Sequence, residues 1–299
     1  MSTGHVASQP IHIICVADVN YGPYAGITFR SVLMSNEGDN IHLHLFSDGV
    51  ARRDVARMEA MAREAGAQFS CYDIKEKLDA FPGIPKWIQH LTRTTFGRLL
   101  IPEILPAGVQ KAIYLDCDVI CVSRLRDLWT ESERLTLLGA VRDTWTDLDC
   151  EQKVSLGMPA KAAYYNAGVL LFNVTAWRQG NVGSRLLKYF SQPRKTKYAL
   201  TDQDVLNGTL WNEITELPRK WNVMITSPYP EELPLVLSTA ANLHFCGGFK
   251  PWHAGYGALI GTGTAAFRHA KRTSPWKWKL PDCHNRVRRK LREFLNYKK

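Results

Sequence analysis

Lys111-Ala-Ile-Tyr-Leu-Asp116-Cys-Asp118-Val-Ile120 is an apolar, β-favouring run that delivers two carboxylates one residue apart. A strand alternates its side chains between two faces, so Asp116 and Asp118 point the same way and Cys117 points into the opposite layer. In a parallel α/β sheet, ligands bind at the carboxyl ends of the strands. Paired hard oxygen donors at that place suit Mg²⁺ or Mn²⁺ carrying a diphosphate. A bare Asp-x-Asp is commonly a solvated turn, but a place behind a strand pattern and away from other charge favours a metal site.

Upstream, Ile11-His-Ile-Ile-Cys-Val-Ala17 reads as a strand ending in the turn cluster Asp18 to Pro23, with a helix-length stretch to Ser35. Ile41 to Ser47 reads as a second strand, Ala51 to Ala65 as a helix, and Gln68 to Tyr72 as a third strand. Alternating β and α elements predict a parallel, doubly wound sheet. His42 and His44 share a strand face, where satisfied imidazoles are the ordinary expectation. Trp87 to Arg98 reads as a loop feeding a helix whose first turn exposes hydroxyls and a guanidinium. Leu137 to Val141 is a further short strand. Tyr164-Tyr-Asn166-Ala-Gly168 precedes the apolar run Val169 to Phe172, after which a helix is predicted with Thr175 as its N-cap.

The 299 residues are enough for one large α/β body with an appendage. Met1 to Pro10 lack the basic start and apolar block of a signal peptide, and no apolar run is long enough to span a bilayer, so the expected location is the cytosol. Seven scattered cysteines, an odd number, point to reduced thiols rather than a disulfide framework or zinc cluster. The net charge is +10, and between Lys271 and Lys299 eleven Lys/Arg stand against Asp282 and Glu293, which places +9 of it there. In that segment Trp276 and Trp278 interleave with Lys277 and Lys279, while Val287, Leu291 and Leu295 recur every four residues. A nearly neutral body over residues 1–270 and a basic amphipathic tail over 271–299 suit attachment to an anionic membrane surface. With no basic patch beyond the tail, nucleic acid is not an expected partner.

Two further strings carry chemistry. Thr201-Asp202-Gln203-Asp204 puts polar groups at a helix start, where backbone N–H groups and side-chain amides can hold sugar hydroxyls, or where Thr201 or Asp202 simply caps. His244-Phe-Cys246-Gly247-Gly248-Phe-Lys250-Pro supplies a third possible metal ligand, glycines that allow close backbone approach to a diphosphate, and a lysine to neutralise it.

Taken together, these strings from about Ile11 to Trp252 resemble glycosyltransferase family 8, the retaining transferases of GT-A fold that include lipooligosaccharide galactosyltransferases and lipopolysaccharide glucosyltransferases. The resemblance implies a Rossmann-like, mixed but mainly parallel sheet flanked by helices. It also implies transfer of galactose or glucose from UDP-galactose or UDP-glucose to a glycolipid or oligosaccharide hydroxyl, with Mn²⁺ or Mg²⁺ as cofactor. Asp116, Asp118 and His244 match the family's metal ligands. Ala17, Asp18 and Asn20 match its uridine loop, with Cys117 and Gly247 also on the nucleotide side. Arg98, Asn166, Ala167, Asp202 and Gln203 match positions around the donor sugar. His90, Thr95, Asp143, Cys246 and Gly247 match the acceptor cleft, and Lys250 matches the lysine that steadies the leaving diphosphate. Val19, Cys117 and Gly248 depart from the commoner choices and bear on donor identity. Asp202 is the carboxylate nearest the implied anomeric centre and Gln203 is a weak nucleophile, so front-face transfer is favoured over a double displacement. The alternatives are a glycogenin-like enzyme that glycosylates its own Tyr164 or Tyr165, and a catalytically silent UDP-sugar-binding or membrane scaffold protein.

Overall fold

β1 (Ile11–Asp18) and β2 (Ile41–Asp48) run parallel in register from Ile11↔Ile41 to Asp18↔Asp48. Their connection, α1 (Gly22–Ser35), starts with Pro23 in its first turn, where the missing N–H has no intrahelical partner to lose. α2 (Arg52–Glu64) buries only Asp54, Met58, Met61 and Ala62, one face of an otherwise charged helix, and leads to β3 (Gln68–Asp73), parallel to β2. The computed structural model describes residues 9–80, 93–143, 146–192, 201–225, 237–254, 256 and 261–282.

The short α3 (Ile101–Ile104) precedes β4 (Lys111–Leu115), which pairs in parallel with β1. β5 (Val119–Cys121) and α4 (Arg126–Glu131) lead to β6 (Leu138–Arg142), and α5 (Cys150–Ser155) leads to β7 (Tyr165–Asn173). α6 (Val174–Gln179), α7 (Val182–Phe190) and α8 (Asp202–Leu210) follow, then β8 (Ile214–Glu216), β9 (Val223–Met224), β10 (Asn242–His244) and α9 (Gly261–Arg272). Among the described residues the main sheet has seven strands in the order β3-β2-β1-β4-β7-β6-β8. β7 runs antiparallel to both β4 and β6, while the other pairings are parallel. The mixed, mainly parallel sheet flanked by helices is therefore present, and the all-parallel expectation drawn from β/α alternation fails at β7. That strand is buried on both faces and reads as a continuous apolar run, so its pattern carries no information about direction.

A second sheet of three strands, β5-β10-β9, leaves the end of β4. Its antiparallel pairing sets His244 opposite Val119, and Phe245 N donates to Asp118 O at 3.0 Å. One apolar cluster lies between the sheet and α1, α2 and α9, and a second holds Phe172, Trp177, Phe96 and Leu206 on the opposite face.

The structure corrects three local expectations. The helix after β7 is capped by Asn173, whose side chain accepts from Ala176 N, and not by Thr175. Arg93–Leu100 is a 3₁₀ helix in which Thr94 and Arg98 are buried, and residues 81–92 lie outside the described part. The boundary drawn between residues 270 and 271 falls inside α9, and the described residues beyond it, as far as Asp282, pack back on the body. Trp276 is 3% exposed, lies against Gly26 of α1 with no room for a Cβ there, and donates its Nε1 to Asp54 Oδ1 at 2.8 Å. Tyr24 donates to Asp282 and carries Lys279 over its ring. Trp278 and Leu280 are 84% and 81% exposed.

Candidate active site

β4 ends at Leu115, and its line is continued by a single bond from Asp116 N to Gly168 O at 2.8 Å. Val119 N then closes a tight turn onto Asp116 O, so the two carboxylates stand at the seam between the sheets, where β10 brings His244 beside them. One ligand atom from each of Asp116, Asp118 and His244 lies within 4.8 Å of the others. His244 Nε2 is 3.3 Å from Asp118 Oδ1 and 3.8 Å from Asp116 Oδ2. Asp118 Oδ1 is buried and makes no hydrogen bond, although it lies within ion-pair distance of that imidazole. A buried carboxylate oxygen aimed at two other donors fits a hard divalent cation with O, O and N ligands.

Cations of the chain itself surround the pair. Arg98, buried, holds Asp116 at 2.9 Å, Asp202 at 3.0 Å and the Ala167 carbonyl at 2.8 Å. Lys250 Nζ binds Asp118 and donates to Phe245 O at 2.8 Å. Burial opposes ionisation of Asp118, but Lys250 and His244 outweigh it and hold that carboxyl well below the usual carboxylate range. Asp116 moves the other way: burial raises it, with Arg98 opposing and Asp118 adding to the rise. Burial works against the charged forms of Arg98 and Lys250 as well, yet their carboxylate partners keep both pKa values above ordinary. Two adjacent carboxylates pushed apart in this way mark a site organised around positive charge.

The second layer is a chain of amides. Asn222, fully buried, sets its Oδ1 2.9 Å from His244 Nδ1 and donates to Asn166 Oδ1 at 2.8 Å. Asn166 donates to Asp143 Oδ2 at 3.1 Å and accepts from Gly168 N at 2.9 Å. Gln203 is held at both ends of its amide, accepting from Ala167 N at 3.0 Å and donating to Asp143 Oδ2 at 3.3 Å. A capping box between Thr201 and Asp204 fixes the start of α8 and with it Asp202 and Gln203. The capping reading of that string is therefore correct for Thr201, and Gln203 still faces the site.

Asp18 ends β1 and accepts from Asn20 N and Tyr21 N at 2.8 and 3.0 Å, which folds the loop and leaves Asn20 exposed. Ala17 and Cys117 are core residues: Ala17 is 1% exposed, and the Cys117 thiol donates to Val16 O at 3.1 Å. Strand alternation turns the Ala17 side chain away and the bond to Val16 turns that of Cys117, so only their backbone can face a nucleotide. Thr95 is half-buried and gives its carbonyl to Arg98 Nε at 3.1 Å. Cys246 and Gly247 follow His244 after Phe245, and Gly247 has φ +84°, a left-handed turn that glycine takes without strain. His90 lies outside the described residues. Tyr164 and Tyr165 are 1% and 6% exposed, and Tyr164 donates its hydroxyl to Asp204 Oδ1 at 2.6 Å. The Tyr164 hydroxyl is buried and engaged, which removes the support for self-glycosylation at that residue.

Sequence reasoning missed Asn222, Tyr114, Tyr21 and Gly168. Tyr114 donates to Asp116. Burial, with Lys250 opposing and Asp118 adding to the rise, pushes Tyr21 up to about 12. A Cβ at Gly168 would overlap the His244 ring. Gly168→Ala is therefore expected to displace His244 and weaken divalent-ion affinity by about 10–100-fold, the range for disturbing the support of a metal ligand. Isothermal titration with Mn²⁺ reads this, and an unchanged affinity would show that His244 is not a ligand.

The chain is 27% identical over 282 residues to the lipopolysaccharide 1,3-galactosyltransferase of Salmonella typhimurium, spanning 91% of this chain and 81% of that one. It is 27% identical to the lipopolysaccharide glucosyltransferase WaaO of Escherichia coli K12, over 87% and 77% of the two chains. The crystal structure of the galactosyltransferase LgtC in complex with donor and acceptor sugar analogs superposes with a TM-score of 0.74 at 27% identity, covering 90% of this chain and all of the other. The profile of glycosyl transferase family 8 matches residues 12–255, and the chain belongs to that family.

Proposed function

We propose that the chain is a retaining hexosyltransferase that moves galactose or glucose from a UDP-sugar to a sugar hydroxyl of a lipopolysaccharide- or lipooligosaccharide-type acceptor. The observation that carries this is the convergence of Asp116, Asp118 and His244 with Lys250 and Arg98 at the mouth of the sheet. Mn²⁺ or Mg²⁺ held by those three ligands would supply Lewis-acid neutralisation of the leaving diphosphate. Lys250 adds a buried point charge to the same group. Arg98 fixes Asp116 and Asp202 relative to the Ala167 backbone, and the Gln203 amide is locked beside it, so polar groups facing the donor sugar need no reorganisation. Asp202 is already neutralised by Arg98, which makes it a poor nucleophile and supports front-face transfer. Asp143, Thr95, Cys246, Gly247 and His90 are assigned to the acceptor side, and Asp18 with Asn20 to the uridine side.

The test is incubation with UDP-galactose or UDP-glucose and a core-oligosaccharide acceptor, with Mn²⁺ or with a chelator, read by mass spectrometry. Ion-dependent addition of one hexose supports the reading; no transfer from either donor to any saccharide would overturn it. An intact-mass adduct on Asp202 would replace front-face transfer by a covalent route.

No helix among the described residues is long and apolar enough to cross a membrane. We assign peripheral attachment to the inner face of the cytoplasmic membrane to exposed Trp278 and Leu280 together with the seven Lys/Arg that follow Asp282. Each basic residue contributes about 1 kcal/mol near an anionic surface. A truncation must start after Asp282, because deleting a buried aromatic such as Trp276 costs about 3–5 kcal/mol. The chain ending at Asp282 is expected to transfer to a soluble saccharide at near wild-type rate and to lose salt-sensitive sedimentation with anionic vesicles; undiminished sedimentation would refute the anchor.

A further inference from the structure

We propose that His12, His42 and His44 form a second metal site, suited to a borderline transition metal such as Zn²⁺, toward the ends of the strands opposite the carboxylate pair. The site follows from strand register. β1 and β2 run parallel with His12 level with His42 and Ile14 level with His44, so all three imidazoles stand on one face. They lie near the amino ends of both strands, whereas Asp18, Asp116 and Asp118 sit at the carboxyl ends.

One ring nitrogen from each of the three lies within 4.8 Å of the others. His12 Nδ1 faces His44 Nε2 at 2.9 Å, and the ring centroids are 5.1 Å apart for that pair and 3.9 Å for His42 and His44. The opposite nitrogen of His44, Nδ1, is 3.2 Å from Tyr72 Oη, and His42 Nε2 is 2.9 Å from Ser70 Oγ. Both partners come from β3 and hold the rings from outside, as the supporting groups of metal-bound histidines do. Trp129 closes one side, with its ring 6.3 Å from His12. His44 is fully buried and His12 and His42 are half-buried, which leaves an approach for an ion and for water as a further ligand.

The donor set sets this cluster apart from the carboxylate site. Three imidazoles with no carboxylate select Zn²⁺, Cu²⁺ or Ni²⁺, while Asp116, Asp118 and His244 favour Mg²⁺ or Mn²⁺. Burial also keeps the imidazoles in the neutral form a metal requires, with His12 lowered to about 4 and His44 to about 2. On binding, the ring that holds the proton between His12 Nδ1 and His44 Nε2 shifts it to its other nitrogen, so that both rings stay neutral and present a lone pair, and the ion cross-links the first two strands.

Full-length protein without an affinity tag should be dialysed against Zn²⁺ and its metal content measured beside two double variants. Asp116→Asn with Asp118→Asn removes the carboxylate site, and His12→Gln with His42→Gln removes the proposed one while leaving buried His44 in place. The expected result is one Zn²⁺ retained per chain by the first variant and lost by the second, with hexose transfer by the second within a fewfold of wild type. Zn²⁺ content unchanged by the histidine substitutions would overturn the proposal. Should either variant misfold, the electron paramagnetic resonance spectrum of Cu²⁺ added to the wild-type chain decides. Splitting from at least two coordinated nitrogens on one ion supports the cluster, because His244 alone offers one imidazole to the other site; splitting from a single nitrogen overturns it.

Discussion

Asp118→Asn is expected to lower ion-dependent hexose transfer on the order of 10³-fold, the upper range for removing one preorganised charge-stabilising group. The substitution preserves volume and takes away the charge that Lys250 and His244 face. Lys250 is buried, so the variant leaves its positive charge unpaired at the place where a divalent ion must enter. The loss should appear as a higher Mn²⁺ requirement and a lower kcat together, measured by product formation across an Mn²⁺ titration. Circular dichroism separates this from unfolding. Turnover within a fewfold of wild type at saturating donor would sink the ligand assignment, and Asp116→Asn should behave alike, since its carboxylate converges on the same point as the Asp118 carboxylate and the His244 imidazole.

Arg98→Met carries the largest expected stability effect. The guanidinium is enclosed by Asp116, Asp202, the Ala167 carbonyl and the face of Tyr114, 5.0 Å to the ring centroid. Methionine fills much of the space but leaves two buried carboxylates without their countercharge, which costs about 3–5 kcal/mol. At about 2–4 °C per kcal/mol, the range for domains of 150–250 residues, the melting temperature should fall by roughly 10 °C. Differential scanning fluorimetry reads the shift, and Asp202→Asn in the Arg98→Met background should recover part of it by removing one orphaned charge. A melting temperature within a degree or two of wild type would show that Arg98 is not the clamp of this site.

What could be read from the chain alone divides along a physical line. Residues carried by local patterns were legible in their place: Asp116 and Asp118 because they end an apolar strand pattern, although the strand stops at Leu115 and a turn, not strand alternation, brings the two carboxylates together, His244 and Lys250 because glycines between them announce a tight turn, and Gln203 because it follows a helix cap. The first two parallel strands were legible because each is apolar and bounded by turn residues, and the third because it follows a helix pattern and carries β-favouring Phe69 and Tyr72. The direction of β7 was not, since a strand buried on both sides has no alternation to orient it. Asn222 and Tyr114 were not, because an amide or phenol in an apolar string has the same local signature whether it props a ligand or satisfies a neighbour. Gly168 gave no sign either, as its role depends on a ring that arrives from a strand far along the chain. The basic tail was misjudged at its start for a related reason. Charge counting groups Trp276 with the lysines around it, while its burial is decided by Gly26 and Asp54.

The bond from Trp276 to Asp54 joins residues 222 positions apart. During synthesis at about 5–20 residues per second, the first two helices leave the ribosome roughly 10 to 45 s before the indole that covers them is made. Through that interval the groove beside Gly26 is open and Asp54 lacks its buried donor. The amino-terminal half must therefore wait as an incomplete layer, held by its strands and exposed to holdase chaperones, until the last tenth of the chain is available to seal it. A nascent chain stalled before residue 276 should be cut by protease within α1 and α2, and one stalled well beyond it should resist.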